Sequence, residues 1–209
     1  HDGDRQAFLC ELRVTYADGT TEVMGTDSTW DVTEDGNYRM ADLYDGETYD
    51  ATIDLNRVTW RKAAKETLRI SPKLLADYGN PVQEHEVFTP ISCNTLSDGT
   101  LIYDFGQNFA GVVKLELNGK AGQVVTVRHA EILNPDGSLN VSFLRTAKAT
   151  ATYTCKDGTQ TYQPRLSYMG FRYVGVNGIK EEDLKISAVA LYSSVAETGS
   201  FSCSDKMIN

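Results

Sequence analysis

The 209-residue chain lacks any long apolar run: its longest are a few residues, far short of the ~20 that an α-helix needs to cross a bilayer. No transmembrane helix is compatible with that pattern. Histidine is scarce, with only His1, His85 and His129, and the four cysteines (Cys10, Cys93, Cys155, Cys203) stand far apart without a C-x-x-C pair. The ligand spacing of a zinc site is therefore missing. Lys and Arg number 20 against 29 Asp and Glu, and they form no cluster, so the basic footprint required for nucleic acid or an anionic membrane is absent. No G-x-S-x-G elbow precedes a helix, which disfavours a Ser-His-Asp triad built on one of three histidines. The start, HDGDRQAFLC, has no basic segment followed by an apolar one, so a signal peptide is expected to lie outside this sequence.

What is present is ordinary globular composition, 41% hydrophobic and 23% charged, enough to bury a core in one large β domain or two small units. Phe8, Cys10, Leu12, Val14 and Tyr16 alternate with polar residues, the period of a half-buried strand. Asp18-Gly19 then closes a hairpin, with Thr21 to Gly25 as the returning strand. Cys10 is expected to face inward with Phe8 and Leu12, and the four cysteines to be reduced rather than paired as a framework. Trp30 and Val32 continue the β pattern. Asp35 to Asp50 reads as an irregular excursion rich in Asp, Gly and Tyr, and Arg57 to Ile70 as the one segment of helical character, a solvated connector. A unit boundary is expected between Pro72 and Pro81. From Val82 onward, strand candidates recur roughly every ten residues with turns between them, as in a sandwich or barrel. Leu101 to Phe105 and Val112 to Leu117 read as separate strands, with Tyr103 to Asn108 forming a strand end and its turn.

Few residues stand out chemically. Glycoside hydrolysis needs two carboxyl groups across one bond, and two pairs suggest themselves: Asp45 with Glu47 on one face of an extended segment, and Asp104 with Glu131 on adjacent strands. Asx turns and surface acids explain the same residues. Asp35, Asp42, Asp45, Glu47 and Asp50 offer the oxygen donors that calcium takes, without the order of an EF-hand. Trp30, Tyr38, Tyr44 and Tyr49 could stack on a sugar ring or simply pack. Gly106-Gln107-Asn108 lacks the glycine spacing and helix of a phosphate cradle.

The motifs run together into a pattern. Tyr103-Asp104-Phe105-Gly106-Gln107-Asn108 with Ala110-Gly111, then Arg128-His129-Ala130-Glu131, Asp136-Gly137-Ser138-Leu139, Leu144-Arg145-Thr146-Ala147 and Gly170-Phe171-Arg172-Tyr173 resemble the bacterial α-L-rhamnosidases, glycoside hydrolase family 78. Upstream, Tyr16-Ala17-Asp18-Gly19-Thr20, Thr26-Asp27-Ser28-Thr29-Trp30 and Tyr44-Asp45-Gly46-Glu47-Thr48-Tyr49-Asp50-Ala51 resemble the latter part of that family's N-terminal β domain. Each motif is weak alone; their order and spacing make the resemblance specific.

The resemblance implies a mainly β chain: a jelly-roll or concanavalin-like β-sandwich over 72–197, preceded over 1–71 by part of a second β-sandwich module. Residues 198–209 would be the lead-in to an (α/α)₆ barrel. The family places its catalytic acids in that barrel, so no catalytic, cofactor or metal-binding residue is carried over, and the chain is expected to be a non-catalytic accessory piece of an enzyme releasing terminal α-L-rhamnose. Its partner would be the barrel of the parent chain. The alternative is a stand-alone carbohydrate-binding module holding a rhamnose-containing glycan through Tyr44, Asp45 and Glu47, with calcium as the cofactor that the acidic loop could accommodate. The family's glycan-degrading role favours a periplasmic or secreted location over a cytoplasmic one. This chain departs from the resembling pattern at Met169, where relatives commonly carry His, and at Ala151, where Asp is frequent. Position 169 is accordingly expected to be exposed or at a module contact, and Arg172 to pair with Asp104 or Glu131.

Overall fold

The computed structural model describes residues 7–65, 73, 75 and 77–209. In chain order the strands are β1 (Glu11–Thr15), β2 (Thr21–Gly25), β3 (Asp31–Val32), β4 (Tyr38–Asp42), β5 (Gly46–Asp50), β6 (Arg61–Lys62), β7 (Val82–Phe88) and β8 (Ser92–Thr95). There follow β9 (Leu101–Gly119), β10 (Val124–Ala130), β11 (Ile132–Leu133), β12 (Leu139–Asn140), β13 (Thr150–Thr154), β14 (Gly158–Tyr162), β15 (Met169–Asn177) and β16 (Leu184–Ser193). The only helical pieces among the described residues are two 3₁₀ turns, Ser142–Leu144 and Glu181–Asp183. The chain divides into two units, His1–Gly36 with Ile53–Ala76, and Asn37–Thr52 with Asp77–Asn209.

In the first unit β1 and β2 form the expected hairpin, in register from Glu11 opposite Gly25 to Thr15 opposite Thr21. Gly19 closes the turn at φ +84°, and the Asp18 carboxylate accepts the Thr20 N–H at 2.9 Å. Strand β3 pairs antiparallel with β6, so Arg61 and Lys62 are extended where the sequence suggested helix; residues 66–70 of that segment lie outside the described residues. Trp60 donates its indole N–H to the Leu55 carbonyl at 3.0 Å, and Lys62 pairs with Asp31 at 2.9 Å, contacts that an extended segment can make. The expected burial of the alternating face is corrected too: Cys10 is exposed, and Phe8 and Leu12 are 75% and 54% exposed. Alternation defines an apolar face, but only a second layer buries it, and none of the described residues covers this one.

The second unit is built on a ten-stranded sheet of order β4-β5-β13-β10-β15-β9-β16-β7, with β8 and β14 also paired to β9. Strand β9 is 19 residues long and changes partners along its length: Leu101 to Asp104 lie between β8 and β15, whereas Leu115 to Leu117 lie between β14 and β16. The two groups of strands that it joins share one hydrophobic cluster. Alternate residues of β9 (Val113, Leu115, Leu117) meet Val125 and Val127 of β10, Tyr153 of β13, Phe171, Val174 and Val176 of β15, and Ile186 and Ala188 of β16.

Two expectations are corrected here. Residues 103–108 do not end a strand. They form a bulge inside β9, where Phe105 to Asn108 oppose the single residue Arg172, because Asp104 pairs with Tyr173 and Phe109 with Phe171. Gly106 sits there at φ +83°, so the turn chemistry read from sequence serves a bend rather than a chain reversal. Second, the segment 35–50 is not irregular: it holds strands β4 and β5, which join the ten-stranded sheet, β5 lying parallel to β13 with Gly46 opposite Thr150 and Asp50 opposite Thr154. A parallel pairing between residues a hundred positions apart leaves no local signal.

Gly46 fixes this placement. It holds φ +112°, and a Cβ on it would lie 2.1 Å from the Thr150 carbonyl oxygen, on backbone that cannot swing away. Gly46→Ala should therefore destabilise the second unit by about 2–4 kcal/mol through combined strain and clash. Urea titration followed by tyrosine fluorescence checks this; an unchanged midpoint would refute the close approach.

Candidate functional site

The turn between β4 and β5 presents the sequence-predicted residues, and the fold separates them sharply. Asp42 accepts the N–H groups of Tyr44 and Asp45 at 2.7 and 2.9 Å, an Asx turn that explains an acid at this spacing, and these bonds hold its carboxyl below the usual range. Tyr44 is left 74% exposed. Asp45 forms an ion pair with Lys148 and accepts the Lys148 backbone N–H at 3.2 Å. The backbone is laced to the same loop, Ala149 N–H donating to the Tyr44 carbonyl and Thr150 N–H to that of Asp45, both at 3.0 Å.

Glu47, two residues on, has no exposed surface. One carboxylate oxygen accepts the Tyr162 hydroxyl at 2.9 Å; the other accepts the backbone N–H groups of Arg165 and Leu166 at 3.0 and 2.8 Å. It is removed from the sugar-binding candidates, since every contact it makes is internal. Burial, and then the adjacent Glu47 charge, raise the Tyr162 pKa well above that of an ordinary phenol, so this hydroxyl stays protonated and donating. Tyr49, Tyr153 and Tyr162 pack around the pair, Tyr153 on Tyr162 at 4.5 Å and Tyr49 on Tyr153 at 5.9 Å, with Tyr38 edge-on to Tyr49 at 4.9 Å. Burial pushes the Tyr153 hydroxyl up to about 12. Tyr49 is thus a packing residue, Tyr38 keeps an exposed edge beside it, and of the aromatics proposed for stacking in this unit Tyr44 is the most exposed.

Four of the five acids proposed for calcium have separate partners. Asp42 and Asp50 are engaged in Asx turns, Asp50 with the Thr52 N–H at 2.9 Å, Asp45 is paired with Lys148, and Glu47 is buried. Among the described residues no three His, Cys, Asp or Glu side chains converge as metal ligands.

The second carboxylate pair also separates. Arg172 grips Asp104 with two parallel bonds of 2.8 Å, from Nε and Nη2, and stacks its guanidinium 4.9 Å over the Tyr173 ring. The Arg172 bonds hold the Asp104 carboxyl below the usual range, and the same carboxylate takes the Gly106 N–H at 2.7 Å, closing the bulge. Glu131 instead accepts from the Asn108 amide at 3.2 Å. The sequence reading of Arg172 as a structural ion-pair partner holds, with Asp104 as the acid.

His129 lies in the core against Phe171, ring centroids 4.8 Å apart, and burial lowers its pKa to about 4. Its Nδ1 lies 2.8 Å from the Ala149 carbonyl, which can only accept, so Nδ1 carries the proton. Ala149 itself has φ +47°, one of two non-glycine residues in this region with positive φ; the other is Arg145 at +55°. Met169 is 8% exposed, so of the two alternatives expected for this position the solvent-facing one is not met, and both Met169 and Ala151 line a small cavity beside His129. All four cysteines are free.

The second unit is thus a curled all-β sheet whose candidate acids are held in ion pairs, turns and a buried network. Residues 94–192 match the bacterial alpha-L-rhamnosidase concanavalin-like domain and residues 1–89 the alpha-L-rhamnosidase N-terminal domain. The chain belongs to the α-L-rhamnosidase family. It is 35% identical over 218 residues to an alpha-L-rhamnosidase of Streptomyces avermitilis, an alignment covering 99% of this chain and 21% of that protein. A Formosa agariphila alpha-L-rhamnosidase is 30% identical, with 100% and 24% covered. The crystal structure of the Streptomyces avermitilis enzyme complexed with L-rhamnose superposes with a TM-score of 0.82 at 34% identity, over 96% of this chain and 20% of that one. That of the Dictyoglumus thermophilum enzyme gives 0.79 at 33% identity, over 95% and 24%. The chain thus spans between a fifth and a quarter of the length of these relatives.

Proposed function

We propose that this chain is a non-catalytic accessory β segment of an α-L-rhamnosidase, which removes terminal α-L-rhamnose from glycosides through acids carried elsewhere in the parent protein. The observation that carries this reading is the length relation: the whole chain aligns with 24% or less of two enzymes named for the activity. The placement of the acids supports it. An inverting glycosidase holds two carboxyls ~6.5–9.5 Å apart across a water, whereas Asp104, Asp45 and Glu47 are each committed to an internal or ion-pair partner. The natural partner in this reading is the catalytic barrel of the parent chain, with residues 198–209 leading into it. Incubation of the purified chain with an aryl α-L-rhamnoside should release aglycone no faster than buffer. Turnover that vanished in Glu131→Gln or Asp45→Asn would refute the accessory role.

The exposure of Tyr44 favours a second reading, sugar binding at the β4–β5 turn, with Tyr44 as stacking platform and Asp45 beside it as hydrogen-bond acceptor. Calorimetric titration with L-rhamnose separates the two. Saturable binding lost in Tyr44→Ala supports a carbohydrate-binding module; heats identical to dilution leave the accessory role alone.

A further inference from the structure

Around the β9 bulge the sheet gathers polar groups that the ion pairs of the second unit leave free. The Glu131 carboxylate accepts the Asn108 side-chain amide at 3.2 Å, and the same oxygen lies 3.5 Å from where a Cβ on Gly170 would stand. Gln107, next along the bulge, is exposed, and its amide has no partner among the described residues. The bulge itself is held in place, since Asp104 takes the Gly106 N–H and both Arg172 bonds. That pairing neutralises Asp104 and leaves Glu131 without a cationic partner among the described residues.

The surface beside Glu131 is open. On the run into β15, Ser167, Met169 and Phe171 are buried while Tyr168 and Gly170 between them face solvent, Tyr168 being 53% exposed. Gly170 pairs with Ala110 of β9, which is exposed too. Nothing in the backbone calls for glycine at 170: its φ is not positive, and a Cβ there would make only an ordinary contact. What the missing side chain provides is room over the sheet. An acceptor-only carboxylate next to amides that both accept and donate suits neighbouring hydroxyl groups, and an uncovered phenol ring suits the C–H face of a pyranose. Tyr168 is two residues from Gly170, about 6.6 Å along an extended chain, roughly the width of one sugar ring.

We propose that this patch binds a single neutral pyranose, with its hydroxyls on Glu131 and Asn108 and its apolar face on Tyr168, over the opening at Gly170 and Ala110. The choice of L-rhamnose as the sugar rests on the α-L-rhamnosidase reading of the parent protein. The patch is distinct from the β4–β5 turn, where Tyr44 carries the other sugar-binding reading.

Titration of the ¹⁵N-labelled chain with L-rhamnose, followed by ¹H–¹⁵N spectra, tests the site. Saturable shifts should appear at the Gly170 backbone amide and the Asn108 side-chain amide, with a Kd on the order of 1 mM, the scale of a few exposed hydrogen bonds and one stacked ring. Asn108→Ala should weaken binding about fivefold, as one lost hydrogen bond does, and Tyr44→Ala should leave it unchanged. Gly170→Val should fill the opening and abolish the shifts; should that variant not fold, Asn108→Ala, on the exposed bulge, still decides. Shifts confined to the β4–β5 turn, or none at sugar concentrations well above that Kd, would overturn the proposal. Shifts at Gly170 and Asn108 with D-glucose but none with L-rhamnose would support the site and overturn only the choice of L-rhamnose, so a failure of the site and a failure of the rhamnosidase reading give different results.

Discussion

Glu47→Ala should lower the stability of the second unit by about 3–5 kcal/mol, because removing one partner of a buried charged network leaves the others unmatched. Three donors lose their acceptor at once, the Tyr162 hydroxyl and the N–H groups of Arg165 and Leu166, and no water-exposed surface lies at that carboxylate to replace it. The two backbone donors belong to the segment between β14 and β15, so the loss should spread into that connection. Glu47→Gln provides the discriminating comparison. Its oxygen can keep the two N–H bonds while its amide turns toward the Tyr162 oxygen, so the cost should fall to about 1–2 kcal/mol, the difference between charged and neutral hydrogen bonds. Asp45→Ala, by contrast, breaks an ion pair whose lysine is 67% exposed and should change stability by less than about 1 kcal/mol. Urea midpoints of the three variants give the ranking. Equal losses for Glu47→Ala and Asp45→Ala would mean that Glu47 is no more embedded than a surface acid.

That ranking could not have been drawn from sequence, and the reason is specific. Asp45 and Glu47 look alike in a stretch rich in Asp, Gly and Tyr, and what separates them is β5's parallel pairing with β13 and the arrival of Arg165 and Leu166 from more than a hundred residues away. Local pattern carried the rest of the unit well. The recurrence of short strands and turns from Val82 onward matches β10, β13, β14, β15 and β16, since apolar residues on each meet the core and turn residues bound it. That Arg172 pairs with a carboxylate was legible because an arginine flanked by aromatics in a β-rich chain needs one; the choice of Asp104 over Glu131 comes from the pairing of β9 with β15. The bend of β9 was half legible: Gly106 announced positive φ, but a turn and a bulge call for the same glycine, and only the pairing of β15 on both sides of it tells them apart. In the first unit Phe8 and Cys10 precede β1 and are exposed with Leu12, because a period of two records which residues would share a side and not what lies opposite.

Acidification should destabilise the second unit in two steps, the first of which belongs to His129. Burial lowers its pKa from 6.5 to about 4, so in the folded protein the ring stays neutral while in the unfolded chain it takes a proton below about pH 6.5. Between these values the unfolded state binds more protons than the folded state, and stability therefore rises with pH across that window and is lost as the pH falls through it. A gap of this size corresponds to about 3 kcal/mol between pH 7 and pH 4. Asp104 acts in the same sense, the unfolded state again binding the extra proton: Arg172 depresses its pKa, so its contribution is present above the usual carboxylate range and is lost below about pH 4, leaving the two losses in separate windows. His129→Leu isolates the first. The Ala149 carbonyl keeps a partner in that variant, since the backbone N–H of residue 129 also donates to it at 3.0 Å, so the leucine removes the titration without orphaning the acceptor. Urea midpoints measured from pH 7 to pH 4.5 should fall steeply for the unaltered chain and much less for His129→Leu, whatever the two absolute stabilities. Parallel slopes for the two proteins would show that the histidine is already solvated and free to protonate in the folded state.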